Sequence, residues 1–453
     1  MEIGTTKGSS KIAALFDVGT FVETGAYVKR DGEMTGVICG YGAIGGRLVY
    51  AFSQDSDRKK GAFDAVQAEK IAALYRMAVK NGAPVIGFFD SIGAVVCDGA
   101  SALSAYGKLL KTVSDASGVI PQYAVISGVC VGMAATVAAS FDLTVTVKEQ
   151  SVLSVNAPFV VGKEIGTSEA TAQNGLASIE TADEAEAIRT VTELVSLLPS
   201  NNADGVTIEE ITDDVNRAVA PDGLTGVELV ASLTDGGRFI ELGATCAPEM
   251  RTGFASFGGV SCGVVANDAG EKGGAITAQG ARKAAKLIGF CNAFSIPVVT
   301  LVDSVGVAVS KDEENAPLAS QLAKLAMSYA SADTAKITAV CGKAYGASFT
   351  LMGARSLGAD MVYALPTAEI STMDPASAVA FLWNDRITEK VTRGELETEW
   401  KRTQASPESA AADGSIDDII EPSQLRQRIC AAVYMLMTKN EATPARKHCD
   451  LPL

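Results

Sequence analysis

The chain has 453 residues, 47% hydrophobic and 20% charged, a globular balance with length for two or three domains. Its 38 basic and 53 acidic side chains leave a net charge of −15, which repels nucleic acid and anionic lipid and argues against both as partners. Nine cysteines without a C-x-x-C pair, and a start that does not resemble a leader, predict reduced thiols in a cytoplasmic setting and no structural metal site. The single histidine, His448, stands five residues from the end, so imidazole is not the base of any chemistry here.

Two Gly-terminated strands are predicted at residues 36–46 and 48–53, followed by a helix at 68–80 with apolar residues at helical spacing. An apolar run after Pro84 ends in Asp90-Ser91-Ile92-Gly93 and reads as a buried strand. The uncharged stretch 123–141 has the length of a membrane span, but its Gly, Ala, Ser and Thr content predicts a buried strand, turn and helix. The acidic, Ala-rich run 180–186 reads as a solvated helix face. A polar joint opens after Leu198-Pro199-Ser200-Asn201-Asn202 and divides the chain into residues 1–205 and 206–453.

The second part repeats the first. Strands are expected at 253–259 and 261–266 and a helix at 280–294, and an apolar run after Pro297 ends in Asp303-Ser304-Val305-Gly306. Asp55, Lys70 and Asp90 return at an offset of 213 residues as Asp268, Lys283 and Asp303. Gly128 and Gly132 return at 214 as Gly342 and Gly346. Several matches in nearly one register identify a duplicated unit. Strands alternating with helices make it α/β with a largely parallel sheet. Asp90 and Asp303, at strand ends, are expected to cap helices or turns.

The chemical candidates are the turns 128–134 and 342–348, where a strand runs through glycine into a helix of small residues. Such a turn leaves backbone N–H groups unpaired and adds helix-dipole charge. Two of them can hold an oxygen that becomes negative, and no side-chain base is needed if the second substrate brings its own. Arg58-Lys59-Lys60 is the cluster expected to meet phosphates.

Across almost its whole length the sequence resembles the carboxyltransferase family of biotin-dependent acyl-CoA carboxylases and decarboxylases. The resemblance rests on Ser117-Gly118-Val-Ile-Pro121-Gln122, Leu198-Pro-Ser-Asn-Asn202, Lys343-Ala-Tyr345-Gly346-Ala347 and the segment from Asp360 to Ile370. It implies two crotonase-like domains in a trimer or a dimer of trimers, with active sites between subunits. It assigns an acyl-CoA site to the first domain, with catalytic amides at Gly132 and Met133 and the loop of Ser91 and Gly93 as CoA contacts, while Arg58, Lys59 and Lys60 are the local cations expected to bind the CoA phosphates. It assigns a biotin site to the second, with catalytic amides at Gly346 and Ala347 and further contacts at Lys343 and Tyr345. The reaction implied is carboxyl transfer between carboxybiotin and the α-carbon of a short acyl-CoA, of propionyl- or acetyl-CoA type, or its reversal as a decarboxylation in a sodium-pumping complex, with a non-catalytic paralogue as the other alternative. There is no Met-Lys-Met attachment site, so biotin would arrive on a carrier protein, with a biotin carboxylase or a membrane decarboxylase subunit as further partner. The sequence departs from the family at Val95, where an arginine is usual, and at Met133, where a second glycine is usual.

Overall fold

The computed structural model describes residues 5–441, so His448 lies outside the described residues. The chain divides into two compact units, Met1–Gly205 and Val206–Leu453.

In the N-terminal unit one sheet runs in the order Val22–Glu23, Val37–Ile44, Arg47–Gln54, Val85–Ser91, Gln122–Val131, Leu143–Val147, Ile179–Thr181, with Val152–Ser154 added beside Gln122–Val131. Pairing is antiparallel through the first hairpin and parallel from Arg47–Gln54 onward. The C-terminal unit repeats that order with Ile240–Leu242, Met250–Phe257, Val260–Asn267, Val298–Ser304, Lys336–Tyr345, Met361–Ala364, Asp418–Ile419, and Glu369–Ser371 beside Lys336–Tyr345. The duplication seen as a sequence offset is thus a duplication of topology, and the fold is two crotonase-like halves.

Local chemistry explains the repeated elements. Each hairpin closes on a Gly pair with φ of 56° and 78° at Gly45-Gly46, and 60° and 81° at Gly258-Gly259. Such two-residue loops need positive φ at both positions, which glycine adopts without strain. Helix Ala65–Asn81 starts at Asp64, whose side chain accepts from the Gln67 amide at 2.9 Å, and ends at the left-handed Gly82. Its counterpart Ala278–Ala293 starts at Thr277, which accepts from the Gly280 amide at 3.0 Å. Both helices bury one face on their sheet, as the apolar spacing predicts.

Two expectations change. The acidic run 180–186 is not one solvated face, because Ile179–Thr181 pairs as a strand and Glu184 opens helix Glu184–Leu197. Within it, Glu180 accepts from the Ser168 hydroxyl at 2.6 Å, and Glu184 faces the buried Lys11 at 3.9 Å. The strands that lead into the two glycine turns run on past Gly128 and Gly342 to Val131 and Tyr345, because a second short parallel strand extends each ladder there. The uncharged stretch is strand Gln122–Val131 and helix Met133–Ala139, and among the described residues no helix is long and apolar enough to cross a membrane.

Candidate functional site

Each unit builds the same turn. Strand Gln122–Val131 ends at Gly132, whose φ of 69° and ψ of −137° only glycine adopts easily. The second unit matches it at Gly346, with φ of 58° and ψ of −135°. The Gly132 N–H donates to the Ser154 and Val155 carbonyls at 3.1 Å each, and the Gly346 N–H donates to the Ser371 carbonyl at 2.8 Å. These two amides, expected as oxyanion donors, are therefore the last rungs of the added parallel ladders. What each glycine supplies is the backbone bend that starts the helix.

The donors left over are on the next residues. Met133 and Ala347 occupy the first helical positions of Met133–Ala139 and Ala347–Leu351, where an amide has no intrahelical partner. The helices have only seven and five residues, so the local amides outweigh any macrodipole.

A second donor comes from the loop after the neighbouring strand. A Cβ on Gly93 would lie 3.6 Å from the Val131 carbonyl oxygen, and one on Gly306 would lie 3.5 Å from that of Tyr345, so each loop packs against a turn. Gly93 accepts from the Phe63 amide at 2.8 Å, and Val95 donates to the Phe63 carbonyl at 2.9 Å. Gly306 and Ala308 bracket Ile276 likewise, at 2.9 Å each. Extended backbone alternates its direction, so the amides between them, on Ala94 and Val307, face away from those bridges. Neither has a partner among the described residues. Sequence reasoning missed Ala94 and Val307, although the repeated Asp-Ser-x-Gly-x pattern marks both positions.

The structure relocates other expected residues. Ser91 is fully buried, and its hydroxyl accepts from the Gly93 amide at 3.2 Å, so both shape the loop from inside instead of facing a ligand. Ser304 and Gly306 do the same at 3.2 Å. Asp90 and Asp303 cap no helix; each accepts an amide from the adjacent strand, Val129 at 3.3 Å and Lys343 at 2.8 Å. The basic cluster splits. Arg58 faces Asp55 at 3.5 Å, and Lys59 lines a cavity of about 340 Å³ beside Arg30 and Gln67. Lys60 lines another of about 570 Å³ beside Lys11, Asp90 and Ile92. Arg30 is already held by Asp64 at 2.9 Å and by Asp98, which raise its pKa.

In the C-terminal unit Tyr345, Ala347, Val307 and Phe381 line a cavity of about 420 Å³. Tyr345 is buried, and its hydroxyl donates to Glu369, which also takes the Lys401 ammonium at 2.8 Å. Burial, and then the Glu369 carboxylate, push the Tyr345 hydroxyl up. Burial pushes the Glu369 carboxyl up too, but the Lys401 and Tyr345 bonds outweigh it and hold it low. Lys343 and Ala347 are exposed. Among the described residues no group of three or more His, Cys, Asp or Glu is placed to hold a metal.

A duplicated α/β unit with one glycine turn in each copy is the arrangement the sequence resemblance implies, and residues 6–451 match the carboxyl transferase domain. The chain belongs to the carboxyl transferase family. It is 35% identical over 496 residues to the propionyl-CoA carboxylase beta chain of Saccharopolyspora erythraea, covering 99% of this chain and 91% of that one. It is also 35% identical over 486 residues to the methylmalonyl-CoA decarboxylase subunit alpha of Propionigenium modestum, covering 99% and 94%. The crystal structure of the transcarboxylase 12S hexamer core, with methylmalonyl-coenzyme A and methylmalonic acid bound, superposes with a TM-score of 0.93 at 32% identity, covering 98% of this chain and 92% of that one.

Proposed function

We propose that this chain is the carboxyltransferase subunit of a biotin-dependent enzyme, moving a carboxyl group between carboxybiotin on a partner protein and the α-carbon of a short acyl-CoA of propionyl/methylmalonyl or acetyl/malonyl type. The observation that carries it is the twofold occurrence of an amide pair without a hydrogen-bond partner among the described residues, Ala94 with Met133 and Val307 with Ala347.

The first pair holds the thioester oxygen of the acyl-CoA as loss of the α-proton makes it an enolate oxygen. The second pair faces the cavity of about 420 Å³, a size that suits a small bicyclic ring, and donates to a ureido oxygen as it gains charge. Biotin, when carried in, supplies the carboxyl group and the base. The residues after the turns, Ala134 to Val137 and Ser348 to Leu351, include no carboxylate, which disfavours water-activating hydratase chemistry. Lys59 and Lys60 are the cations offered to CoA phosphates. The direction of transfer follows from the partner, a biotin carboxylase or a membrane decarboxylase subunit, each served by a biotin carboxyl carrier protein.

Exposed apolar side chains lie beside both turns: Ile92 and Val155 at the first, and Val305 and Phe381 at the second. Such patches mark surfaces that another protein covers. They support a homo-oligomer, a trimer or dimer of trimers, in which subunits complete each other's sites.

The test is to mix the purified protein with free biotin and malonyl-, methylmalonyl- or glutaconyl-CoA and follow carbon dioxide. Biotin-dependent release is expected from at least one thioester. Absence of turnover with all three, where a working relative turns over, sinks the reading.

A further inference from the structure

We propose that Asp90 and Asp303 are positioning residues, each clamping a two-residue strand slip so that the pair of donor amides beyond it is correctly aimed. This rests on the proposed carboxyl transfer only for what the amides hold, not for the clamp itself.

The slip is present in both units. Phe89 lies opposite Ile126, but Ser91, two residues on, lies opposite Cys130, four residues on. Val302 lies opposite Val340, but Ser304 lies opposite Ala344. A slip of this kind leaves the longer strand with an amide and no carbonyl opposite it. The aspartate carboxylate answers it: Asp90 Oδ1 accepts from the Val129 amide at 3.3 Å and Asp303 Oδ1 from the Lys343 amide at 2.8 Å.

Glycine makes the room. A Cβ on Gly128 would lie 2.2 Å from Asp90 Oδ1, and one on Gly342 would lie 2.4 Å from Asp303 Oδ1. No side chain fits there while the carboxylate sits on the strand. Carboxylate and glycine are therefore one device, and it is kept in both copies although Lys343 stands at the position of Val129 and Val305 at that of Ile92.

The place of the bond along the chain ties it to the amides. Asp90 stands four residues before Ala94, and its acceptor bond reaches Val129, four residues before Met133. Asp303 stands four before Val307, and its bond reaches Lys343, four before Ala347. In each unit the clamp joins the two strands at equal distances upstream of the two donors. It therefore sets the register of one donor against the other. Ser91 and Ser304, next in line, pin the loop side through the Gly93 and Gly306 amides at 3.2 Å each.

The two clamps differ in electrostatic support. Lys11, buried in helix Lys7–Leu15, holds Asp90 Oδ2 at 3.7 Å and donates to Ser127 at 2.8 Å. Asp303 has no ion pair among the described residues. The C-terminal clamp is thus the one a neutral substitute should replace best.

The experiment compares Asp303→Ala and Asp303→Asn in the full chain, by amide hydrogen exchange over residues 341–347 and by kcat and KM in decarboxylation with free biotin. Misplacing a group by about 1 Å costs on the order of 100-fold in rate. Asp303→Ala should lose exchange protection and roughly 10- to 100-fold in kcat, with KM for the thioester nearly unchanged. Asp303→Asn, whose side-chain oxygen still accepts the Lys343 amide, should keep protection and kcat within about threefold of wild type. Asparagine as damaging as alanine, or alanine with wild-type protection, overturns the clamp. If Asp303→Ala does not fold, the asparagine variant alone decides, since a large loss there is incompatible with a hydrogen-bond role. A wild-type protein without turnover would sink the proposed activity, while the exchange data would still settle the clamp.

Discussion

The Gly132 amide donates to the Ser154 carbonyl at 3.1 Å, and this bond changes what the glycine is for. A Cβ added there would meet nothing within 4 Å, so space does not require glycine; the backbone angles do. A side chain held in that region costs about 1–3 kcal/mol. Gly132→Ala should therefore fold with a lower Tm, by several degrees at about 2–4 °C per kcal/mol. Its kcat should fall more than about tenfold as the turn relaxes and the Met133 amide moves. A thermal melt beside the decarboxylation assay checks both. An unchanged kcat would show that the turn does not aim a donor.

In the second unit the same argument applies to Gly346, where a Cβ would also come 3.4 Å from the Thr372 carbonyl oxygen. Gly346→Val should abolish dependence on free biotin while leaving CoA binding intact. Calorimetry with a non-reacting thioester against the biotin-stimulated rate separates the two. Retained biotin dependence would mean that the biotin half-reaction belongs to another turn.

Asp303 gives the biotin side a pH signature. Burial pushes its carboxyl up, and the Lys343 amide and ammonium pull it only partly back. Tyr345 and Cys341, which feel its charge, are themselves pushed up by burial and stay neutral. As pH falls through the raised Asp303 value, the carboxylate gains a proton but keeps a carbonyl oxygen for the Lys343 amide, as the side chain in Asp303→Asn does. An acid limb of kcat from this group should lie above the ordinary aspartate value of about 3.9, be no deeper than about threefold, and be absent in Asp303→Asn. Linkage runs the other way for stability: with the folded pKa raised, this group's contribution is present below the unfolded value and lost as pH rises through the folded one. An acid loss of kcat at this group is therefore not a loss of fold.

The duplication, the sheet class and both glycine turns were legible because they depend on local chemistry: a Gly pair at each hairpin, caps at Asp64 and Thr277, and apolar runs after Pro84 and Pro297. The donor amides were not. Whether an N–H is free depends on what the next strand supplies, and Val152–Ser154 and Glu369–Ser371 follow their partners by more than twenty residues. The same non-local pairing hid the roles of Asp90 and Asp303, since a strand slip leaves no periodic mark in sequence. Ser91 looked like a ligand contact for a similar reason, because its burial comes from the loop folding back over it.

Met133 places a partly exposed side chain on the turn, where the sequence resemblance leads one to expect glycine. Met133→Gly keeps the donor amide and removes that bulk. One methylene-sized change in a pocket is worth about 1–3 kcal/mol, so preference for methylmalonyl- over malonyl-CoA in kcat/KM should rise on the order of 10-fold. Competition between the two thioesters reads the ratio directly. An unchanged ratio would place the methionine side chain away from the acyl group.

Lys60 separates stability from binding most cleanly. It sits at φ 53° and ψ 34°, a left-handed conformation, while its counterpart in the second unit is Gly273 at φ 66° and ψ 24°. Holding a lysine there costs about 1–2 kcal/mol relative to glycine. Its carbonyl also accepts the Ile92 amide at 3.3 Å, so the strained residue is attached to the acyl loop. Lys60→Gly should raise Tm by roughly 2–4 °C, since the backbone is relieved and the carbonyl bond remains. If the ammonium meets a CoA phosphate, the same variant should raise KM for the thioester about fivefold. That difference should shrink with added salt, as screening removes the lysine's advantage. A stabilised variant with wild-type KM at low salt would remove Lys60 from the CoA contacts and leave Lys59 as the cation of this loop to test.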